Sequence, residues 1–130
     1  MSKVEISVGD LTTEQLHWKV VEWAQDRNIV PKQSLFNPIT NYAYSSVENL
    51  KEFRTAQFTK LQEEVDELKQ AIEDDNLDEM IDAVGDIMVC LSIQAESFDF
   101  TLTECFVEAY DQIKDRKGKM VDGVFVKEAE

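Results

Sequence analysis

The chain has 130 residues, 43% of them hydrophobic and 31% charged, with a formal net charge of −14 at pH 7. That length suits one domain, residues 1–130, built on one core, and the negative charge argues against duplex nucleic acid or an anionic membrane surface as a partner. No apolar run approaches the roughly 20 residues of a membrane span, and MSKVEISVGD lacks the basic start and apolar stretch of a secretory leader, which points to a cytoplasmic protein.

Four Gly and two Pro in the whole chain favour long regular elements. Residues 1–10 are polar and expected to be poorly fixed, or at best a short edge. Thr12 with Gln15 forms a capping-box pattern, and Leu16, Val20 and Trp23 follow at i, i+4, i+7, which predicts a helix from about residue 13 to 28, ending before Pro31. Residues 29–45 hold both prolines and no sustained period. A loop of that length is often functional, and it carries Phe36, Tyr42 and Tyr44. Ser45 with Glu48 opens a long second helix over 46–73, whose apolar period runs through Leu50, Phe53, Leu61, Val65, Leu68 and Ile72. Glu73-Asp74-Asp75 breaks it, and Asn76 with Glu79 starts a third helix that reaches about Phe98. Thr101 with Glu104 caps a fourth. There Leu102, Cys105, Phe106, Ala109, Tyr110 and Ile113 make the cleanest amphipathic stripe in the chain, and Gly118 ends it. Met120-Val121 and Val124-Phe125-Val126 around Asp122-Gly123 spell a two-residue β-hairpin. Cys90 and Cys105 fall at apolar helical positions without CxxC spacing, as reduced core thiols do. The expected architecture is all-α, a four-helix bundle with a short C-terminal β-hairpin that must lean on the helices or on a neighbouring subunit.

Between Glu63 and Asp86 eleven carboxylates face a single lysine. Glu63, Glu64 and Glu67 share one helical turn, and Glu79, Asp82 and Asp86 recur at i, i+3, i+7. On a helical wheel Val89 and Ile93 continue the face of the second group, while Leu77, Met80, Ile81, Val84 and Met88 make an opposite apolar face. The third helix thus reads as buried on two sides, with its carboxylates at the mouth of a dry pocket. Carboxylates so crowded repel one another unless a cation lies between them. Mg²⁺, or Mn²⁺, is the natural oxygen-bound ion, and it would let an acidic protein hold a small polyanion such as a nucleotide. His17, the sole histidine, stands in no ExxH motif, which argues against a di-iron carboxylate bundle.

KLQEEVDEL (Lys60 to Leu68) followed by DEMIDAVGDIMVCL (Asp78 to Leu91) resembles the MazG-type all-α nucleotide pyrophosphohydrolases, with their Glu-x-x-Glu on one helix and Glu-x-x-Asp on the next. The likeness runs from WAQDRNIV (Trp23 to Val30) to AYDQIKDRKGKMVDGVFVKE (Ala109 to Glu128), and this tail resembles small, stand-alone, often phage-borne members. One departure stands out: Ala83 lies three residues before Asp86, where many members have glutamate. Two registers stay open, Glu79 with Asp82 or Asp82 with Asp86. The resemblance implies hydrolysis of a nucleoside triphosphate between its α and β phosphates. Metal would be held by Glu64, Glu67 and the Glu79, Asp82 and Asp86 group, with Glu63 as an outer ligand or base. Lys114 and Lys117, in the densest basic cluster, and more weakly Lys60, are the candidate phosphate contacts. Phe36, Tyr42 and Tyr44 are the candidate base contacts, and Trp23, at helical spacing, is expected in the core. Related substrates (dUTP or dUDP, phosphoribosyl-ATP) and an acidic interaction module without turnover are the alternatives. A subunit with one helix apolar on two sides is expected to form a homodimer or a dimer of dimers.

Overall fold

The computed structural model of the chain describes residues 7–30 and 47–128. A 3-10 turn at Val8–Asp10 precedes α1 (Thr13–Asp26), α2 (Val47–Glu73), α3 (Leu77–Glu96) and α4 (Leu102–Ile113), and the antiparallel strands β1 (Gly118–Val121) and β2 (Val124–Lys127) close the order. The all-α expectation with a terminal hairpin holds. Residues 8–10 make a single 3-10 turn, where the sequence suggested a poorly fixed segment or at best a short edge. Phe36, Tyr42, Tyr44 and the Ser45 cap lie outside the described residues.

Helix starts follow the sequence. Thr12 and Thr101 each close a full capping box, with Gln15 and Glu104, and Asn76 accepts from the Glu79 N–H. Helix ends use a signal other than glycine or proline. Asn28, Asp75 and Asp99 adopt φ of 59°, 50° and 61°. After each, the next N–H bonds the carbonyl five residues back: Ile29 to Ala24, Asn76 to Ala71 and Phe100 to Ala95. Short polar side chains tolerate this left-handed stop, and the three alanines are nearly inaccessible. The first helix therefore stops at Asp26, before Pro31 matters.

α2 and α3, joined by a three-residue turn, form an antiparallel pair; α1 packs on α3, and α4 packs on α1 and α3. The core gathers Ala24, Val30 and Ile93, with Val20, Ile29, Phe53 and Val89 against it. The buried stripe of α1 is His17, Val21 and Ala24, one residue on from the expected Leu16, Val20 and Trp23. A flat alanine at the contact lets the helices approach closely, which rotates both Leu16 and Trp23 outward. His17 earns its burial: its Nδ1 accepts from the Leu102 N–H at 3.1 Å, satisfying a first-turn donor of α4.

Arg54 ties the front of α2 to the end of α3. Its guanidinium donates to Ser97 Oγ at 3.1 Å and to Ser97 O at 2.9 Å and lies over the Phe98 ring, while its own carbonyl accepts from Gln94. The charge also complements the C-terminal dipole of α3. Arg54→Met is expected to lower unfolding free energy by about 2 kcal/mol in a urea titration, the range of hydrogen bonds from a charged group.

The fourth helix departs most from expectation. Its stripe is the cleanest in the chain, yet no residue of α4 is buried, and Phe106 is 67% exposed. Leu77, Ile81, Val84 and Met88 on α3 are likewise open, so among the described residues the Leu77 to Met88 face of α3, expected to be buried, is not covered, while its Val89 and Ile93 side packs on the core. β1 and β2 pair Gly118 with Lys127 through Val121 with Val124, and Asp122 and Gly123 both take positive φ, as a type I′ turn requires. Among the described residues this hairpin packs on no helix. Gly118 opens β1, four residues after the last turn of α4 has ended, and a Cβ there would run into the Val126 carbonyl and the Phe125 ring. Gly118→Ala is expected to unpair the hairpin, seen as loss of amide protection at Lys119 and Met120 with the helices intact.

Candidate functional site

Glu64 on α2 and Asp86 on α3 meet across the antiparallel pair. One ligand oxygen each from Glu64, Glu67 and Asp86 lies within 4.8 Å of the others. The two glutamates reach the same spot because three residues make one helical turn. Glu64 is 6% exposed. Its Oε1 pairs with Lys60 Nζ at 3.2 Å, and its Oε2 is buried with no hydrogen-bond partner among the described residues. The neighbouring Glu64 carboxylate holds the Glu67 carboxyl above its ordinary range. Asp86 is raised by burial first, then by Asp82 and Glu64. Three carboxylates, two of them reluctant to ionise and one with an orphaned buried oxygen, make a donor set suited to a hard divalent cation.

The other candidates divide. Asp82 sits one turn from Asp86, exposed but close enough to act on its charge. Glu79 lies in the first turn of α3, about 10 Å from Asp86 along the helix, where its N–H engages the Asn76 cap. Of the two registers, the one built on Asp86 is brought to the Glu-x-x-Glu. Glu63 is exposed outside the cluster, bound to Lys60 at 3.3 Å. Lys60 lines the site, but Lys114 is paired with Asp111 at 3.0 Å, and Lys117 belongs to the detached hairpin region.

A cavity of about 400 Å³ opens from the cluster. Glu64, Asp86 and Lys60 line one end, Ile29, Val89 and Ile93 the other, with Gln57, Cys90 and Trp23 completing the wall. Trp23, expected in the core, is 43% exposed at this wall, with the Arg27 guanidinium 4.5 Å from its ring centre and bonded to its carbonyl. Gln57 escaped the sequence reading. Its signal was its place seven residues before Glu64 on the same helical face. Cys90 and Cys105 are free thiols, and burial pushes both upward in pKa.

No curated protein and no solved structure matches the chain. The family model of the MazG nucleotide pyrophosphohydrolase domain matches residues 54–121, just over half of the chain, a span that holds the whole acid cluster together with Gln57 and Lys60. The chain belongs to the MazG nucleotide pyrophosphohydrolase family.

Proposed function

We propose that the chain, acting as a single cytoplasmic domain, hydrolyses nucleoside triphosphates between the α and β phosphates in a Mg²⁺-dependent reaction that releases monophosphate and pyrophosphate. The buried Glu64 Oε2, without a hydrogen-bond partner among the described residues and clustered with Glu67 and Asp86 at the charged end of a cavity, carries this reading. Glu64, Glu67 and Asp86 would hold the metal, with Asp82 as an outer carboxylate; Mn²⁺ offers the same octahedral preference. When bound, the metal would supply charge to neutralise phosphate oxygens and would lower the pKa of a water so that it gives up its proton readily. Lys60 bridges Glu63 and Glu64, and those two carboxylates raise its pKa, so it stays charged. Turning Lys60 toward the substrate phosphates frees the Glu63 carboxylate to accept the proton of the attacking water.

Lys114 and Lys117 reach phosphate in this reading only from a second copy. The open apolar faces of α3, α4 and the hairpin favour that arrangement, since exposed apolar area of this extent marks an association surface. A homodimer or dimer of dimers is the expected state, and Phe106→Glu is expected to yield monomers in light scattering. A monomeric wild type at micromolar concentration would refute the assembly.

The test is pyrophosphate release from the canonical ribo- and deoxyribonucleoside triphosphates, together with dUTP and phosphoribosyl-ATP, with Mg²⁺ and with EDTA; dUDP, whose α–β cleavage gives dUMP and orthophosphate, is followed by dUMP formation. Pyrophosphate formed only with Mg²⁺ is the expected result. Orthophosphate and a diphosphate formed from a triphosphate would move the cut to the β–γ bond. Inactivity on the whole panel would favour an acidic binding module.

A further inference from the structure

The cavity beside the acid cluster changes character along its length. Its charged end is Lys60, Glu64 and Asp86, and its far end is Ile29, Val89 and Ile93. Gln57 is the one uncharged amide in this wall, half-buried, and among the described residues nothing pairs with it. Seven residues place it two helical turns from Glu64, about 10 Å at the helical rise, on the same face of α2. Asp86 and Ile93 repeat that spacing on α3. The polar-to-apolar gradient is thus held by two rigid helices and closed by Trp23, whose indole is braced by Arg27.

That layout has a chemical complement. Phosphate would call for a cation or a row of N–H donors, and an aliphatic ligand would leave the amide facing apolar groups without a partner. A carboxamide offers donors and an acceptor side by side without charge, which suits a planar heterocycle whose edge carries both. With phosphates at Glu64 and Asp86, such a ring has its faces against apolar side chains and its edge toward Gln57. Resting on the nucleotide hydrolysis proposed above, we infer that Gln57 reads the hydrogen-bonding edge of the nucleobase and sets the base preference of this chain.

The experiment compares wild type, Gln57→Leu and Gln57→Glu. Rates on the four deoxynucleoside triphosphates give kcat/KM for each base, and titration calorimetry gives Kd for the four monophosphates. Wild type is expected to rank the bases by about tenfold or more, the scale of a paired amide–base contact. Gln57→Leu collapses that ranking in both measurements while keeping its Mg²⁺-induced melting shift. Gln57→Glu keeps the acceptor, loses the donors, and moves the preference toward bases with an amino edge. An unchanged ranking in two folded variants overturns the inference and leaves the hydrolase reading standing. Monophosphate binding whose ranking Gln57→Leu abolishes, without turnover in wild type, supports the base contact and sinks the hydrolase reading. Neither binding nor turnover in wild type overturns both.

Discussion

Glu64→Gln is expected to lower kcat/KM for the preferred triphosphate by more than about 100-fold while leaving far-UV circular dichroism unchanged. Removing even an outer partner of a metal ligand costs roughly 10–100-fold, so loss of a central ligand should exceed that. The amide is isosteric, keeps the helix, and replaces one of three crowded carboxylates with a neutral group. Asp86→Asn should behave similarly. Glu79→Gln, in the cap turn of α3, should stay within about threefold of wild type, since it changes only an exposed side chain. This pair of outcomes decides the register of the aspartates. Strong loss at Glu79 with little at Asp86 would reverse the assignment made from the geometry. Loss of fold in Glu64→Gln and Glu67→Gln together would make the acids structural.

Mg²⁺ is expected to raise the melting temperature, and the rise should grow with pH. Glu67 and Asp86 have raised pKa values in the folded chain. Within the carboxylate titration range these two groups therefore bind more protons in the folded than in the unfolded state. Without metal, the contribution of these two groups to stability then falls as pH increases through that range, against the opposite contribution of Glu14, whose carboxyl is held low chiefly by the Thr101 hydroxyl. Protons and metal compete for the same oxygens, so the melting shift should be small near pH 4 and full by about pH 7. At a hundred times the dissociation constant the stabilisation is about 2.7 kcal/mol. Glu67→Gln should invert the pattern: a higher melting temperature in EDTA, because a repelling charge is gone, and a much smaller response to Mg²⁺. No shift with Mg²⁺ or Mn²⁺ at neutral pH would mean that the cluster is a solvated acidic face.

What the linear sequence determined was local. Capping boxes at Thr12 and Thr101, the Asn76 cap, and the Asp122-Gly123 turn depend on neighbours three or four residues away, and each formed as read. The acidic pattern belongs to the same level, because one turn of helix places Glu64 and Glu67 on a common side whatever surrounds them. The three helix stops were legible too, in Asn28, Asp75 and Asp99, but only by allowing a left-handed non-glycine residue. Periodicity identifies a stripe without saying what covers it, and there tertiary structure decided. Ala24 let α1 approach α3 closely, so the stripe through His17 turned inward and Trp23 moved to the cavity wall. The stripe of α4, stronger in pattern, touches α1 and α3 yet has no residue fully buried among the described residues. The choice among Glu79, Asp82 and Asp86 was equally beyond the sequence, since all three share a face. It rests on the length of the turn between α2 and α3, which sets which residue of one antiparallel helix stands opposite Glu64 on the other.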